Sequence, residues 1–368
     1  MKIPHLSVLI KPASSLCNLK CSYCFYHGLA HGRDIGSYGV MQNETADILI
    51  ERAVDAAEKG LSFMFQGGEP SLAGLDYFNY FIDQVNRANV RKLQVNYAIQ
   101  TNGINISEEF AEFFKANNFL VGLSLDGVKD INDFFRGEGT HNKILKTTRL
   151  FDKLKVEYNI LTVITAQAAK HIEKIYNFYK NQNFMYLQFI PCLEPLEITP
   201  FDEIYSLSPE LYEKFLITLF RLWHRDFMSG KYISIRFFDN LVRIAAGYPP
   251  EQCGTLGFCS GQFVIEADGS VFPCDFYCVD NWKTGSILDM SFEELYNSPN
   301  MQKFRETSLY ENSRCKSCKV FYLCRGGCRR DRDNKKDGVA GDNIYCEALY
   351  NFYSFAEPYL ENIVKTIS

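Results

Sequence analysis

Residues 14–28 read SSLCNLKCSYCFYHG and place Cys17, Cys21 and Cys24 in one short loop. A structural zinc site or a closed iron–sulfur site takes four protein ligands. The next cysteine is Cys192, so the local sequence supplies only three. Three thiolates on a cluster leave one coordination position open, and an open position is where a small molecule binds. A cluster or zinc ion completed by a distant residue is the alternative.

The loop directly follows an apolar run, LSVLI (6–10), and five further short runs recur along the chain: LSFMF (61–65), QVNYAI (94–99), FLVGLS (119–124), YNILTVI (158–164) and MYLQFI (185–190). Their lengths and β-branched or aromatic content read as strands. Amphipathic stretches such as ETADILIERAVDAAEKG (44–60) and SEEFAEFFKANN (107–118) separate them as helices. Ser107 is an N-cap, followed by Glu108 and Glu109 at the positive helix end. Ser208, Pro209 and Gly230 bracket another helix. Six β-then-α units imply parallel strands with right-handed crossovers, in an α/β fold that is either an open sheet or an incomplete barrel. In both, chemistry gathers at the C-terminal strand ends, where the cysteine loop lies.

Composition narrows the function. The chain has 368 residues, 46% hydrophobic and 23% charged, with a net charge of −5. That balance gives no general affinity for nucleic acid or an anionic membrane. The basic run CRRDRDNKK (328–336) is interleaved with acids and reads as a solvated face. No apolar run approaches the ~20 residues that span a bilayer. The N-terminus lacks a signal-peptide core, so a cytoplasmic location is expected. Thirteen cysteines in a reducing compartment point to metal rather than disulfides.

The C-x3-C-x2-C pattern, with Tyr23 before its last cysteine, resembles the radical S-adenosylmethionine (SAM) enzymes. The resemblance implies a [4Fe–4S] cluster on Cys17, Cys21 and Cys24 whose open iron is chelated by SAM, within a partial (β/α)6 TIM-like barrel over residues 1–230. It assigns Tyr23 and the Gly67, Gly68 and Glu69 of QGGEP (66–70) to SAM binding. Ser124 and Arg136 would contact the SAM carboxylate or ribose, and Leu193 would border the adenine. Ordinary turn or packing roles are the alternative for each.

Nine of the ten remaining cysteines lie between 253 and 346, and eight of them suffice for two sets of four, suited by chemistry to zinc or iron–sulfur. Their arrangement resembles the SPASM extension, which implies a linker over 231–252, a cysteine-rich SPASM domain over 253–348 and a C-terminal helix over 349–368. By that resemblance Cys253, Cys259, Cys274 and Cys328 hold one auxiliary [4Fe–4S] cluster, and Cys315, Cys318, Cys324 and Cys346 a second. Cys192 and Cys278 are left over.

The segments FQGGEPSLAG, LQFIPCLEPL, IRFFDNL, GSVFPCDFY and LCRGGCRR, together with the cysteine loop, resemble the anaerobic sulfatase-maturating enzymes. This implies oxidation of a cysteine or serine in a C/S-x-P-x-R segment of an unfolded sulfatase to Cα-formylglycine. Asp275 would be the catalytic base and Tyr26 would lie near the substrate residue. A flavodoxin or ferredoxin would supply electrons. The first cluster begins at residue 17, which leaves no room for the peptide-recognition domain that precedes many other SPASM enzymes. Two alternatives stay open: a different peptide-modifying radical enzyme making thioethers, epimers or crosslinks, and a zinc-binding interaction protein. Sequence does not decide between cysteine and serine substrates.

Overall fold

The structure is a computed structural model that describes residues 2–194, 203–309, 313–333 and 341–367. The end of LQFIPCLEPL, residues 334–336 of the basic run and Ser368 lie outside those residues. Ten strands are formed: β1 (Ile3–Ile10), β2 (Ala57–Phe65), β3 (Gln94–Thr101), β4 (Leu120–Ser124), β5 (Glu157–Ile164), β6 (Tyr186–Pro191), β7 (Ser234–Ile235), β8 (Phe263–Ile265), β9 (Ser270–Phe272) and β10 (Gly285–Ser286). All six strands expected from sequence are present. The chain divides into two compact units: unit 1 is Met1–Ser124, Phe135–Tyr158 and Gly261–Phe304; unit 2 is Leu125–Phe134, Asn159–Ser260 and Arg305–Ser368.

In unit 1 the strands run in the order β10-β9-β8-β1-β2-β3-β4. β8, β1, β2, β3 and β4 are parallel, and β9 and β10 continue antiparallel from β8. β1 therefore has neighbours on both sides, and its last three residues, Val8–Ile10, are buried. A parallel strand covered on both faces is expected to read as a continuous apolar run. The helix Leu75–Ala88 covers β2 through an aromatic core, and the helix Glu108–Ala116 joins that core where Phe110 meets Phe78 at 5.7 Å. Phe63 meets Phe81 edge-on at 5.0 Å, and Phe65 meets Phe78 at 5.1 Å. The Ser107 hydroxyl caps its helix as expected, accepting from Phe110 N–H at 3.2 Å.

Three expectations are corrected. The stretch 44–60 does not stay helical: the helix is Asn43–Ala56, and residues 57–60 begin β2, paired with β1 from Ile3 to His5. Parallel pairing outweighs the helix propensity of Ala, Glu and Lys there. A single cut near residue 230 does not divide the compact units, because β8–β10 pair into unit 1 beside β1. Nor is 231–252 a bare linker, since it contains β7 and the helix Arg236–Ala245.

In unit 2, β5, β6 and β7 are parallel. The helix Pro209–Met228 begins at Ser208, whose hydroxyl accepts from Leu211 N–H, and it is followed by Gly230 at φ 75°. It packs on Cys346–Ile367, with Phe220 and Phe352 5.9 Å apart. That last helix starts at Cys346, three residues before the expected 349.

Candidate active site

After Ile10 the chain turns at once. Ser14 N–H donates to Lys11 O at 3.1 Å and Leu16 N–H to Ala13 O at 2.9 Å. The turn after β2 locks onto this loop by backbone alone: Gly68 N–H donates to Ser14 O at 2.9 Å and Glu69 N–H to Leu16 O at 2.7 Å. A Cβ on Gly67 would stand 2.9 Å from Ser14 O, and one on Gly68 only 2.2 Å from Leu16 O. The glycines are required here because two backbones touch. The partner seen in the structure is the cysteine loop itself.

Glu69 is buried and its carboxylate is largely used. Oε1 accepts from Ser71 N–H and from the Thr101 hydroxyl, and Oε2 accepts from Asn102 N–H at 2.7 Å. Burial raises its pKa, opposed by those hydrogen bonds. Glu69 thus ties the turn after β2 to the end of β3. Asn102 extends the link, donating from its amide to Asn18 Oδ1 at 2.7 Å and lying 3.9 Å from Cys17 Sγ. Leu19 N–H also donates to Cys17 Sγ, at 3.4 Å.

Burial raises the Cys17 pKa, with Glu69 and Cys24 adding to the effect and the two donors opposing it. Cys24 sits on Cys21 through a backbone hydrogen bond of 3.1 Å, directly before the short helix Phe25–His31. Tyr23 and Arg136 are brought together, with the guanidinium 5.5 Å from the ring centroid. Ser22 N–H donates to Phe135 O at 3.0 Å, which anchors that pairing. Ser124 is the buried last residue of β4. Leu193, in unit 2, follows β6 and is half-buried.

The second part of the unit 1 site grows from sheet register. Ile265, Ile10 and Phe65 are direct neighbours on β8, β1 and β2. Lys11 N–H continues the ladder to Ile265 O at 2.8 Å, and Gln66 N–H to Ile10 O at 2.9 Å. Glu266, Lys11 and Gln66 therefore stand in a row across three strand ends. Asp275, three residues after β9, is almost fully buried among them. Its Oδ1 accepts from Lys11 Nζ at 2.5 Å, and its Oδ2 accepts from Gln66 Nε2.

Lys11 is completely buried, and Nζ lies 3.8 Å from the centroid of the Tyr26 ring. Burial alone would favour the neutral amine. The Asp275 carboxylate, with help from Cys278 and Glu266, outweighs it and raises the ammonium pKa. The Tyr26 hydroxyl donates to Glu266 Oε1, which also accepts from Arg33 Nη1 at 2.6 Å. Burial, then Glu266, pushes the Tyr26 pKa far up, so its hydroxyl stays protonated.

Among the described residues no cysteine is in a disulfide. Among the described residues no three His, Cys, Asp or Glu side chains converge as chelators of a single ion. A cluster does not require convergence on one point, because each iron takes its own thiolate. The all-thiol donor set and the donors aimed at Cys17 Sγ fit a cluster held by Cys17, Cys21 and Cys24.

In unit 2, Cys315, Cys318, Cys324 and Cys346 are neighbours. Burial pushes Cys324 up to about 11, and the other three thiols add to the rise. Cys253, Cys259 and Cys328 form another neighbourhood, with Cys259 pushed up to about 11 by burial and then by Cys253. Cys274 belongs to unit 1. Cys192 and Cys278 are buried, and the Cys278 thiol lies 3.7 Å from Cys274 O.

Lys11, Gln66, Glu266, Arg33 and Asn102 were not singled out by sequence reasoning. A charged or amide residue directly continuing an apolar parallel strand was the available signal, at LSVLI-K, LSFMF-Q and FVI-E.

Comparison with known proteins identifies the family of the chain as a whole. A family model for the radical SAM superfamily matches residues 12–179, and one for the SPASM iron–sulfur cluster-binding domain matches residues 257–319. The chain is 47% identical to the cysteine-type anaerobic sulfatase-maturating enzyme of Clostridium novyi, over 99% of this chain and 98% of that one. It is 28% identical to the serine-type enzyme of Bacteroides thetaiotaomicron, over 98% and 92%. Its fold matches the solved structure of native anSMEcpe with bound AdoMet and Cp18Cys peptide, with a TM-score of 0.95, 44% identity, and coverage of 99% of this chain and 100% of that one.

Proposed function

The chain belongs to the anaerobic sulfatase-maturating enzymes of the radical SAM superfamily, and from that premise we propose that its substrate residue is a cysteine and that Asp275 is the base taking the thiol proton. The enzyme generates formylglycine, using three [4Fe–4S] clusters and SAM. The stronger likeness to a relative named for cysteine than to one named for serine supports the substrate choice.

One observation carries the base assignment: a buried carboxylate at the strand ends, gripped on both oxygens by Lys11 and Gln66. Cys17, Cys21 and Cys24 would hold the cluster, and the cluster with SAM would supply the radical chemistry for hydrogen abstraction from the substrate Cβ. Asp275 then accepts the thiol proton at a carboxylate oxygen, each of which retains lone-pair capacity beyond its one donor. Lys11 places its ammonium against Oδ1 of that carboxylate. The glycine turn and Asn102 position the cysteine loop.

Tyr23, Gly67, Gly68, Ser124 and Arg136 serve SAM binding in unit 1, with Glu69 acting by fixing the turn. Leu193 keeps the adenine-facing role implied by sequence. Cys17, Cys21 and Cys24 hold the first cluster, and the two auxiliary quartets are those expected from sequence, in a SPASM segment over 253–348. Tyr26 lies beside the substrate cysteine through its ring, because its hydroxyl is engaged by Glu266. The partners are an unfolded sulfatase chain and a flavodoxin or ferredoxin. A cytoplasmic setting accords with a cysteine-rich sequence whose thiols are assigned to clusters. Among the described residues no helix is long and apolar enough to cross a membrane.

The test is anaerobic incubation with SAM, a reductant and paired peptides carrying C-x-P-x-R or S-x-P-x-R, read by mass spectrometry. Faster conversion of the cysteine peptide to the aldehyde is expected. Conversion of serine alone overturns the cysteine assignment, and conversion of neither overturns the function.

A further inference from the structure

Among the described residues no hydrogen bond or ion pair joins Arg33 or Glu266 to Asp275 or to Cys17, Cys21 and Cys24, yet the pair is buried with both side chains at 0% exposure. Such a pair loses hydration on both ions, and a well-packed apolar pair is often as stable or more so. Stability is therefore a weak reason for its presence. Its connections suggest another. Glu266 Oε1 takes Arg33 Nη1 at 2.6 Å and the Tyr26 hydroxyl together, while Arg33 Nη2 is pinned to Gly36 O at 3.2 Å. The Tyr26 ring is thereby fixed at its far end, and the near face of that ring carries the Lys11 ammonium. A lysine ammonium is a point charge on a flexible stem with no preferred direction of its own. The ring face supplies that direction, and it points Nζ at Asp275 Oδ1.

We propose that Arg33 and Glu266 are positioning residues for the base: acting through the Tyr26 ring, they hold the Lys11 ammonium on one oxygen of Asp275 and so fix where the carboxylate receives the substrate proton. The inference rests on the assignment of Asp275 as that base. The charges agree with it. Lys11, Arg33, Asp275 and Glu266 sum to zero while both acids are ionised. In the transfer the substrate S–H bond breaks, an O–H bond forms on Asp275 and a thiolate remains. The four residues then carry one net positive charge, centred on Lys11 beside the new anion.

The experiment measures formylglycine formed per 5′-deoxyadenosine, with iron content and the peptide KM, in Glu266→Gln, Tyr26→Phe, Lys11→Met, the double variant Lys11→Met/Glu266→Gln, and Asp275→Asn. Each of the first three should lower the ratio by about 10-fold or more, the scale of a small misplacement of a reacting group. Iron content and KM should stay at the wild-type level. The double variant should be no worse than Lys11→Met, because Glu266 acts through Lys11.

Multiplying effects in the double variant overturn the proposal, as does a raised KM with an unchanged ratio in Tyr26→Phe. If Glu266→Gln loses its clusters, Tyr26→Phe decides alone, since it cuts the same hydroxyl–carboxylate link and keeps the ring; a wild-type ratio there overturns the proposal. Failure of Asp275→Asn to lower the ratio removes the base assignment instead, and so separates the two claims.

Discussion

The cysteine loop and the Asp275 cluster share unit 1 and its strand ends, but they are held together in different ways. The loop is held by backbone: Gly68 and Glu69 donate their N–H groups to Ser14 and Leu16, and the approach leaves no space for a Cβ on Gly67 or Gly68. The cluster is held by side-chain charge and hydrogen bonds: Lys11, Gln66, Arg33, Glu266 and Asp275 come from separate parts of the chain and meet in the interior. A backbone-held site is vulnerable to added atoms. A charge-held site tolerates small changes of shape and is vulnerable to a change of charge or donor.

The largest effect expected is on the loop. Replacing Cys17, Cys21 and Cys24 together with Ala should abolish SAM cleavage and lower iron from about 12 to about 8 atoms per chain, as one of three [4Fe–4S] sets is removed. Retained 5′-deoxyadenosine formation would break the comparison at its first term. Gly68→Ala comes next. It adds one methyl group and leaves every charge in place, yet it forces the loop off Leu16 O. SAM cleavage should fall at least about 10-fold, with loss of iron; an unaffected variant would mean the close backbone approach is dispensable.

Ser107→Ala, which removes only the cap of the helix Glu108–Ala116, should cost about 1 kcal/mol in denaturant unfolding and leave activity unchanged. The smallest effect concerns pH. The Lys11 pKa is raised on folding, so the stability its charge contributes is complete below the ordinary lysine value of about 10.4 and is lost only as pH rises through the higher folded value. The stability gap between wild type and Lys11→Met should therefore stay constant from about pH 7 to 9. A gap that closes across that range would show the ammonium deprotonating early.

The same contrast explains what could be read from sequence. Cys17, Cys21 and Cys24 lie within one turn-rich stretch, so their spacing suggests a shared metal site, and the family resemblance supplies its proposed role. The strands are short apolar runs, and Ser107 and Ser208 announce their helices by local chemistry that the structure repeats. Asp275 was singled out because it adjoins Cys274 in a recognisable segment. Its grip by Lys11 spans 264 positions of sequence, and no local pattern encodes a contact of that range. It depends on β8 pairing beside β1, which a division of the chain near residue 230 conceals. Residues 57–60 misled for a related reason: their intrinsic preference is helical, and a partner strand decides otherwise.

The central claim is that initiation belongs to the loop and proton removal to the cluster. Asp275→Asn tests it most directly, because the amide keeps the shape and can still accept a hydrogen bond but is not a base. On anaerobic incubation with SAM, reductant and a cysteine peptide, 5′-deoxyadenosine should form at close to the wild-type rate while formylglycine falls by about 10²-fold or more. Wild-type formylglycine with intact clusters, or parallel loss of both products, would contradict the account.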